Sequence, residues 1–198
     1  RRFVPRLVST GVSLAAAQSV LQSLTPLVHG AAQETSPDGV KIFEGTGGEA
    51  FAEQLIASGV KYVFGNSSSG DAPFYDALVD RPQLNYVLTP HEGPGAAMAA
   101  GYVKASGKPV LVMEAAVVGL MNAMGQMFNA YKEQTPLVFY SYRNDKSRSA
   151  GRDVFEEVAY QEEIVAPLTK WHWMARRSEM IPETIRRSFK VAWTPPYG

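Results

Sequence analysis

Residues 86–113, YVLTPHEGPGAAMAAGYVKASGKPVLVM, set a single glutamate where an apolar run ends and an Ala-rich stretch begins. Two chemistries suit Glu92. As an acid in the first turn of a helix it complements the helix dipole, a contribution of about 0.3–1 kcal/mol. As a carboxyl in an apolar pocket it has a raised pKa and can share a proton near neutrality, which is general acid–base work. Its neighbours are small: Gly93 and Gly95 project no side chain across it, and Pro94 only a short fixed ring. Ala96, Ala97, Ala99 and Ala100 then let a flat ligand or a second helix come close. The residue types leave both roles open.

Other polar residues have plainer uses. His91 suits a hydrogen-bond partner that positions its neighbour, and Asn66, Ser67 and Ser69 in NSSSG are turn formers. Glu114 is either a second acid or a surface charge. Met124, Gln126, Met127 and Tyr131 suit a core or a dimer interface, and Trp171 and Trp173 alternate as packing residues on a strand.

These positions need a scaffold. Helical spacing covers 48–59, closed by Gly59, and an apolar run at 60–65 ends in glycine as buried strands do. A helix from about Asp71, a strand over 84–89, a helix over 92–106 stopped by Gly107, and a strand over 108–113 follow. Residues 122–132 read as a helix with Met124, Met127, Phe128 and Tyr131 as its apolar stripe, and 135–142 as a strand. After a polar loop at 143–153 come helices in VFEEVAYQEEIV and PETIRRSFKVAW, with a strand at 168–174 between them. Such alternation predicts an α/β fold, a doubly wound parallel sheet with helices on both faces. Ligands of such sheets sit beyond the carboxyl ends of the strands, where the loops at 66–70, 89–93 and 114–119 fall.

The 198 residues suffice for one domain with a full core. Lys+Arg and Asp+Glu both number 19, so the net charge is zero, and no basic excess recruits nucleic acid or an anionic membrane. Cysteine is absent, which excludes disulfides and thiolate chemistry. His29, His91 and His172 are the only histidines, so no metal ligands are predicted.

Residues 1–33 differ from the rest. They contain Arg1, Arg2 and Arg6 but no Asp, Glu or Lys, and are too mildly apolar for a stable membrane span. Paired arginines, a phenylalanine, a mild apolar region and a small-x-small site at Gly30–Ala32 resemble a twin-arginine export leader. That resemblance implies a periplasmic protein; without export, the cytoplasm is expected. The sequence opens without Met, so a start inside a longer chain is expected. Residues 34–44, with Pro37 and Gly39, read as a linker into a domain over 45–198.

The segment HEGPGAAMAAGYVKASGKP resembles the glutamate segment of thiamine diphosphate enzymes of the acetolactate synthase and benzoylformate decarboxylase type. GEAFAEQLIASGVKYVFGNSSSGDAPFYDAL resembles the first helix, strand and turn of their N-terminal pyrimidine-binding domain, and MNAMGQMFNAYKEQTPLVFYSY the later helix and strand. FEEVAYQEEIVAPLTKW and IPETIRRSFKVAW resemble its closing segments. The series implies the thiamine diphosphate-binding fold over 45–198, incomplete at the C-terminus.

For function the resemblance implies an enzyme that decarboxylates or carboligates a small 2-oxo acid. Glu92 would be the catalytic carboxyl that bonds the cofactor's pyrimidine nitrogen, with Gly119 and Asn122 also cofactor-binding. Ser69, His91 and Ala115 fall at substrate-contacting positions. The chain departs from the family at Ala115, where the decarboxylases carry a histidine, and in the loop, where Ser67 and Ser68 replace proline and glycine. Magnesium and the diphosphate are bound in the family by a later domain with a Gly-Asp-Gly segment, which these residues lack. A homodimer or homotetramer is implied, because relatives share the site between subunits. The alternative is a cofactor-dead fragment or scaffold domain of the same fold.

Overall fold

Four short apolar runs become strands, β1 (Tyr62–Gly65), β2 (Asn85–Leu88), β3 (Leu111–Glu114) and β4 (Val138–Ser141). All pair in parallel in the order β2-β1-β3-β4. The helices between and after them are α1 (Gly47–Ala57), α2 (Ala72–Leu78), α3 (Glu92–Ser106), α4 (Ala116–Lys132) and α5 (Ile181–Ala192). The computed structural model describes residues 42–66, 68–143 and 158–198. Gly47–Gly198 forms one compact unit and Arg1–Thr46 another, of which only 42–46 is described. The expected leader and most of the linker therefore lie outside the described residues, as does Ser67.

Strand side chains alternate between faces, and the two faces carry separate cores. Val63, Leu111 and Met113 pack with Phe51 and Leu55 of α1, Phe74 of α2 and Ile185 and Phe189 of α5. Phe64, Val110 and Val112 pack with Ala96, Ala99 and Val103 of α3 and Leu120, Ala123 and Met127 of α4. Each large apolar side chain so buried contributes about 1.5–3 kcal/mol. Helices thus cover both faces, as the sequence predicts.

The order reverses at β1: β2 lies on one side of it and β3 on the other. This switch opens a crevice at the carboxyl ends of β1 and β3. Two glycines let the layers close around it. A Cβ on Gly65 would lie 2.6 Å from the Met113 carbonyl oxygen, and one on Gly95 would lie 2.7 Å from Thr89 Oγ1.

Four expectations are corrected. First, α4 begins at Ala116, not at 122, so the loop expected at 114–119 shrinks to a turn at Ala115. The turn is this tight because Ala116 adopts a left-handed φ of 48°. Second, the buried stripe of α4 is Val117, Leu120, Ala123, Met127 and Ala130, while Phe128 and Tyr131 are exposed. Ala96 and Ala99 of α3 and Ala123 of α4 share this core with Leu120 and Met127, while Phe128 and Tyr131 turn outward. Third, residues 168–174 form no strand. Lys170 Nζ instead donates to the carbonyls of Val191 (2.7 Å), Thr194 (2.5 Å) and Pro196 (2.6 Å), which binds the segment to the end of α5. Trp171 and Trp173 stack on one another at 6.3 Å. Fourth, the helix expected at 154–165 is, over its described part, a 3-10 stretch at Gln161–Leu168. Among the described residues no helix is long and apolar enough to cross a membrane.

Candidate active site

Glu92 enters the crevice through the turn after β2. Thr89 is pinned by its N–H to the Gly65 carbonyl (2.8 Å), and its hydroxyl donates to the His91 carbonyl (3.3 Å). His91 is the N-cap of α3: its backbone is extended, and its Nδ1 accepts the Gly93 N–H at 3.2 Å. Capping the helix with a histidine leaves the next side chain free to point inward. Glu92 is only 4% exposed, whereas the His91 ring, 3.9 Å from Glu92 Oε2, is mostly solvent-exposed.

Each Glu92 oxygen accepts one amide N–H. Asn66 Nδ2, just past β1, reaches Oε1 at 3.4 Å, and Asn122 Nδ2, on α4, reaches Oε2 at 3.0 Å. A carboxylate offers only acceptors, so both amides turn their nitrogens to it. Three elements therefore converge on one buried carboxyl.

A second carboxyl lies in the same crevice. Glu114 ends β3 and is 1% exposed, which overturns its reading as a surface charge. Neither of its oxygens accepts a hydrogen bond from a described residue. Burial, and secondarily the Glu92 charge, push its pKa up to about 9. Gly119 permits this placement, because a Cβ there would stand 2.9 Å from the Glu114 carbonyl carbon.

The turn between β3 and α4 is locked from outside. Ser141 Oγ donates to the Ala116 carbonyl (2.7 Å), and Gln161 Nε2 donates to Ser141 Oγ (2.9 Å). A left-handed non-glycine residue stores strain of about 1–3 kcal/mol and persists where its surroundings over-determine it. Ala115 caps α4 without a side-chain bond. Ser69 is exposed at the start of a short 3-10 turn, Ser69–Asp71, after β1. Its neighbour Ser68 bonds Tyr142 (3.2 Å) and Tyr75 (3.4 Å), and Tyr75 meets Tyr86 at 3.3 Å. Beneath this turn burial raises the Asp71 carboxyl to about 6, opposed by the phenol of Tyr140.

Of the residues singled out in the sequence, Glu92 and Asn122 touch directly, His91 flanks them, and Gly119 and Ala115 frame Glu114. Ser69 stands on the separate loop after β1. Two residues, one read as a turn former and one left open between a second acid and a surface charge, belong to the site. Asn66 passed for a turn former, although its place directly after the Gly65 that ends β1 aims it at the crevice. Glu114 closes the apolar run VLVM, and the continuous hydrophobicity before it was the signal of burial.

Residues 45–164 match the model of the thiamine pyrophosphate enzyme family, N-terminal TPP binding domain. The chain belongs to this family. The TPP-binding domain is 34% identical over 149 residues to the mitochondrial acetolactate synthase catalytic subunit of Aspergillus candidus, covering 75% of this chain and 21% of that protein. It is 32% identical over 145 residues to the benzoylformate decarboxylase of Pseudomonas aeruginosa, covering 73% and 27%. The thiamine diphosphate-dependent 4-hydroxybenzoylformate decarboxylase of Rhodococcus jostii superposes with a TM-score of 0.72 at 33% identity, covering 78% of this chain and 29% of that one. The benzoylformate decarboxylase of Polynucleobacter necessarius gives 0.71 at 28%, covering 78% and 29%. The TPP-binding domain thus spans about a fifth to a quarter of the curated relatives it matches.

Proposed function

We propose that the protein containing this domain is a thiamine diphosphate-dependent enzyme that decarboxylates or carboligates a small 2-oxo acid, with Glu92 as its catalytic carboxyl. The observation that carries the proposal is a buried glutamate, each oxygen on one amide donor, at the switch crevice of a thiamine pyrophosphate-family fold. A carboxyl so oriented suits the ring nitrogen of an aminopyrimidine. When bound, thiamine diphosphate supplies an electron sink for the carbanion left by decarboxylation. The domain's own part is to fix Glu92, keep water from it and aim its oxygens into the crevice. Asn122 and Asn66 orient the carboxyl, and Gly119 lets α4 close over the crevice.

Magnesium and the diphosphate belong to the proposal as groups bound outside this domain. Among the described residues no cluster of three His, Cys, Asp or Glu is arranged to hold a metal ion. A homodimer or homotetramer is supported by exposed apolar side chains on α4, Val118, Met121 and Phe128, which share a helical face. Export to the periplasm rests on the resemblance of residues 1–33 to a twin-arginine leader. Ala115 and exposed Ser69 and His91 stand as the substrate-side positions.

The test is turnover by the full-length protein. Supplied with thiamine diphosphate and magnesium, it should release carbon dioxide from pyruvate or benzoylformate, and Glu92→Gln should abolish that release while its circular dichroism stays unchanged. Full activity in the variant overturns the role of Glu92. Release that never depends on the cofactor, or none at all with either substrate, favours a scaffold domain.

A further inference from the structure

Glu114 is the largest polar feature the proposed function leaves unused. Along β3, Leu111 and Met113 face one core, and Val110 and Val112 the other. Alternation puts Glu114 with the second pair, on the face covered by α3 and α4. Glu92 opens α3 on that side and Asn122 stands on α4, so both buried carboxyls lie on one side of the sheet, near enough for the charge of one to act on the other. Their surroundings are unequal. Glu92 accepts two amide N–H groups, whereas both Glu114 oxygens are sealed from solvent and accept nothing from a described residue. An ionised carboxyl without donors in a dry site is strongly disfavoured, and two like charges side by side compound it.

We propose that Glu114 is a positioning residue for Glu92: a neutral carboxylic acid that holds the proton of a buried two-carboxyl pair and keeps the crevice at a single negative charge. Its consequence for cofactor binding rests on the proposed function; its protonation does not.

The groups around it fit this state. Glu92 faces it from α3, and the Tyr86 phenol on β2 feels its charge and is itself pushed up, chiefly by burial. Among the described residues no cation is paired with it. The His91 ring approaches Glu92 at 3.9 Å from its exposed position, and Arg143 is paired with Glu162 at 3.8 Å. The elevation of Glu114 to about 9 agrees with the geometry. Above that pH a second negative charge appears beside Glu92, and excluding water from a doubly charged crevice makes the cofactor bind less well.

Infrared difference spectroscopy of the full-length, cofactor-free protein reads the proton directly. At neutral pH the wild type should show the carbonyl stretch of a protonated carboxyl that Glu114→Gln lacks. The band should bleach with a midpoint near 9. In Glu92→Gln the midpoint should move down, because the neighbouring charge is gone. Identical wild-type and Glu114→Gln spectra in that region overturn the proposal. Should Glu114→Gln fail to fold, the wild-type titration and its displacement in Glu92→Gln decide alone, and an unmoved midpoint overturns the pairing. Calorimetry with thiamine diphosphate and magnesium supplies the second reading. Wild-type affinity should weaken up to about tenfold per pH unit above the midpoint, and Glu114→Gln should lose that slope. A band that behaves as stated with no cofactor binding refutes the proposed function and leaves Glu114 as assigned; binding with equal slopes in both proteins refutes Glu114.

Discussion

The two amides on Glu92 are unequal partners. Asn122 makes the shorter bond, 3.0 Å against 3.4 Å for Asn66, and it comes from a long helix rather than a loop. A hydrogen bond to a charged group is worth about 1.5–3 kcal/mol. Asn122→Ala should therefore lower kcat/KM of the full-length protein by roughly 10–100-fold, and Asn66→Ala by less. Steady-state kinetics beside a thermal melt separates this from misfolding. Glu114 sets a second expectation, on stability. Its carboxyl moves from 4.5 to about 9 on folding, so the folded state retains a proton that the unfolded chain releases. Stability from this group is complete below about 4.5 and declines as pH rises toward about 9. By neutral pH the deficit is on the order of 3 kcal/mol. Glu114→Gln removes it, so the variant's advantage in melting temperature should widen from pH 5 to pH 8; a constant gap would contradict the raised acidity constant. Asp71, raised from 3.8 to about 6, acts in the same sense over a narrower range.

At the scale of elements, glycines mark where helices have room and where they have none. A Cβ on Gly48 of α1 would lie 2.2 Å from the Pro73 carbonyl oxygen on α2. Gly48→Ala gains about 1 kcal/mol of helix propensity but forces these helices apart, an overpacking penalty of about 1–3 kcal/mol, so it should lower the urea midpoint. Gly101, exposed on α3, has nothing within 4 Å of its Cβ position, and Gly101→Ala should raise the midpoint by about 0.5–1 kcal/mol equivalent. The same local signals explain what the sequence disclosed. α3 could be read from Glu92 to Ser106 because it opens on a strand end and stops at Gly107, which takes the left-handed cap. The start of α4 was hidden, since Ala115 carries no capping group and no residue type announces the left-handed turn at Ala116. Trp171 and Trp173 mimicked a strand, whose existence depends on a partner that spacing cannot display. Glu92 was legible as a candidate from its small neighbours; its link to Asn66 joins residues 26 apart and arises only when β1 and α3 meet.

For the molecule as a whole, Val118, Met121 and Phe128 lie exposed on one side of α4, the helix that also carries Asn122. Burying such a side chain yields about 1.5–3 kcal/mol, and charging it in an interface reverses the gain. Phe128→Asp should shift full-length protein toward monomer in analytical ultracentrifugation, with the fold of the monomer retained. An unchanged sedimentation profile would contradict an interface on this face.

The strand order also governs how the chain matures on the ribosome. β1 meets β2 early, but its other neighbour, β3, is not made until Leu111–Glu114 has been translated, and Asn122 appears later still. A nascent chain halted before α4 would hold a half-built sheet with Glu92 short of one donor and Val110 and Val112 covered by α3 alone. Such an intermediate is a natural client for a holding chaperone, and it should stay protease-sensitive until α4 has cleared the exit tunnel.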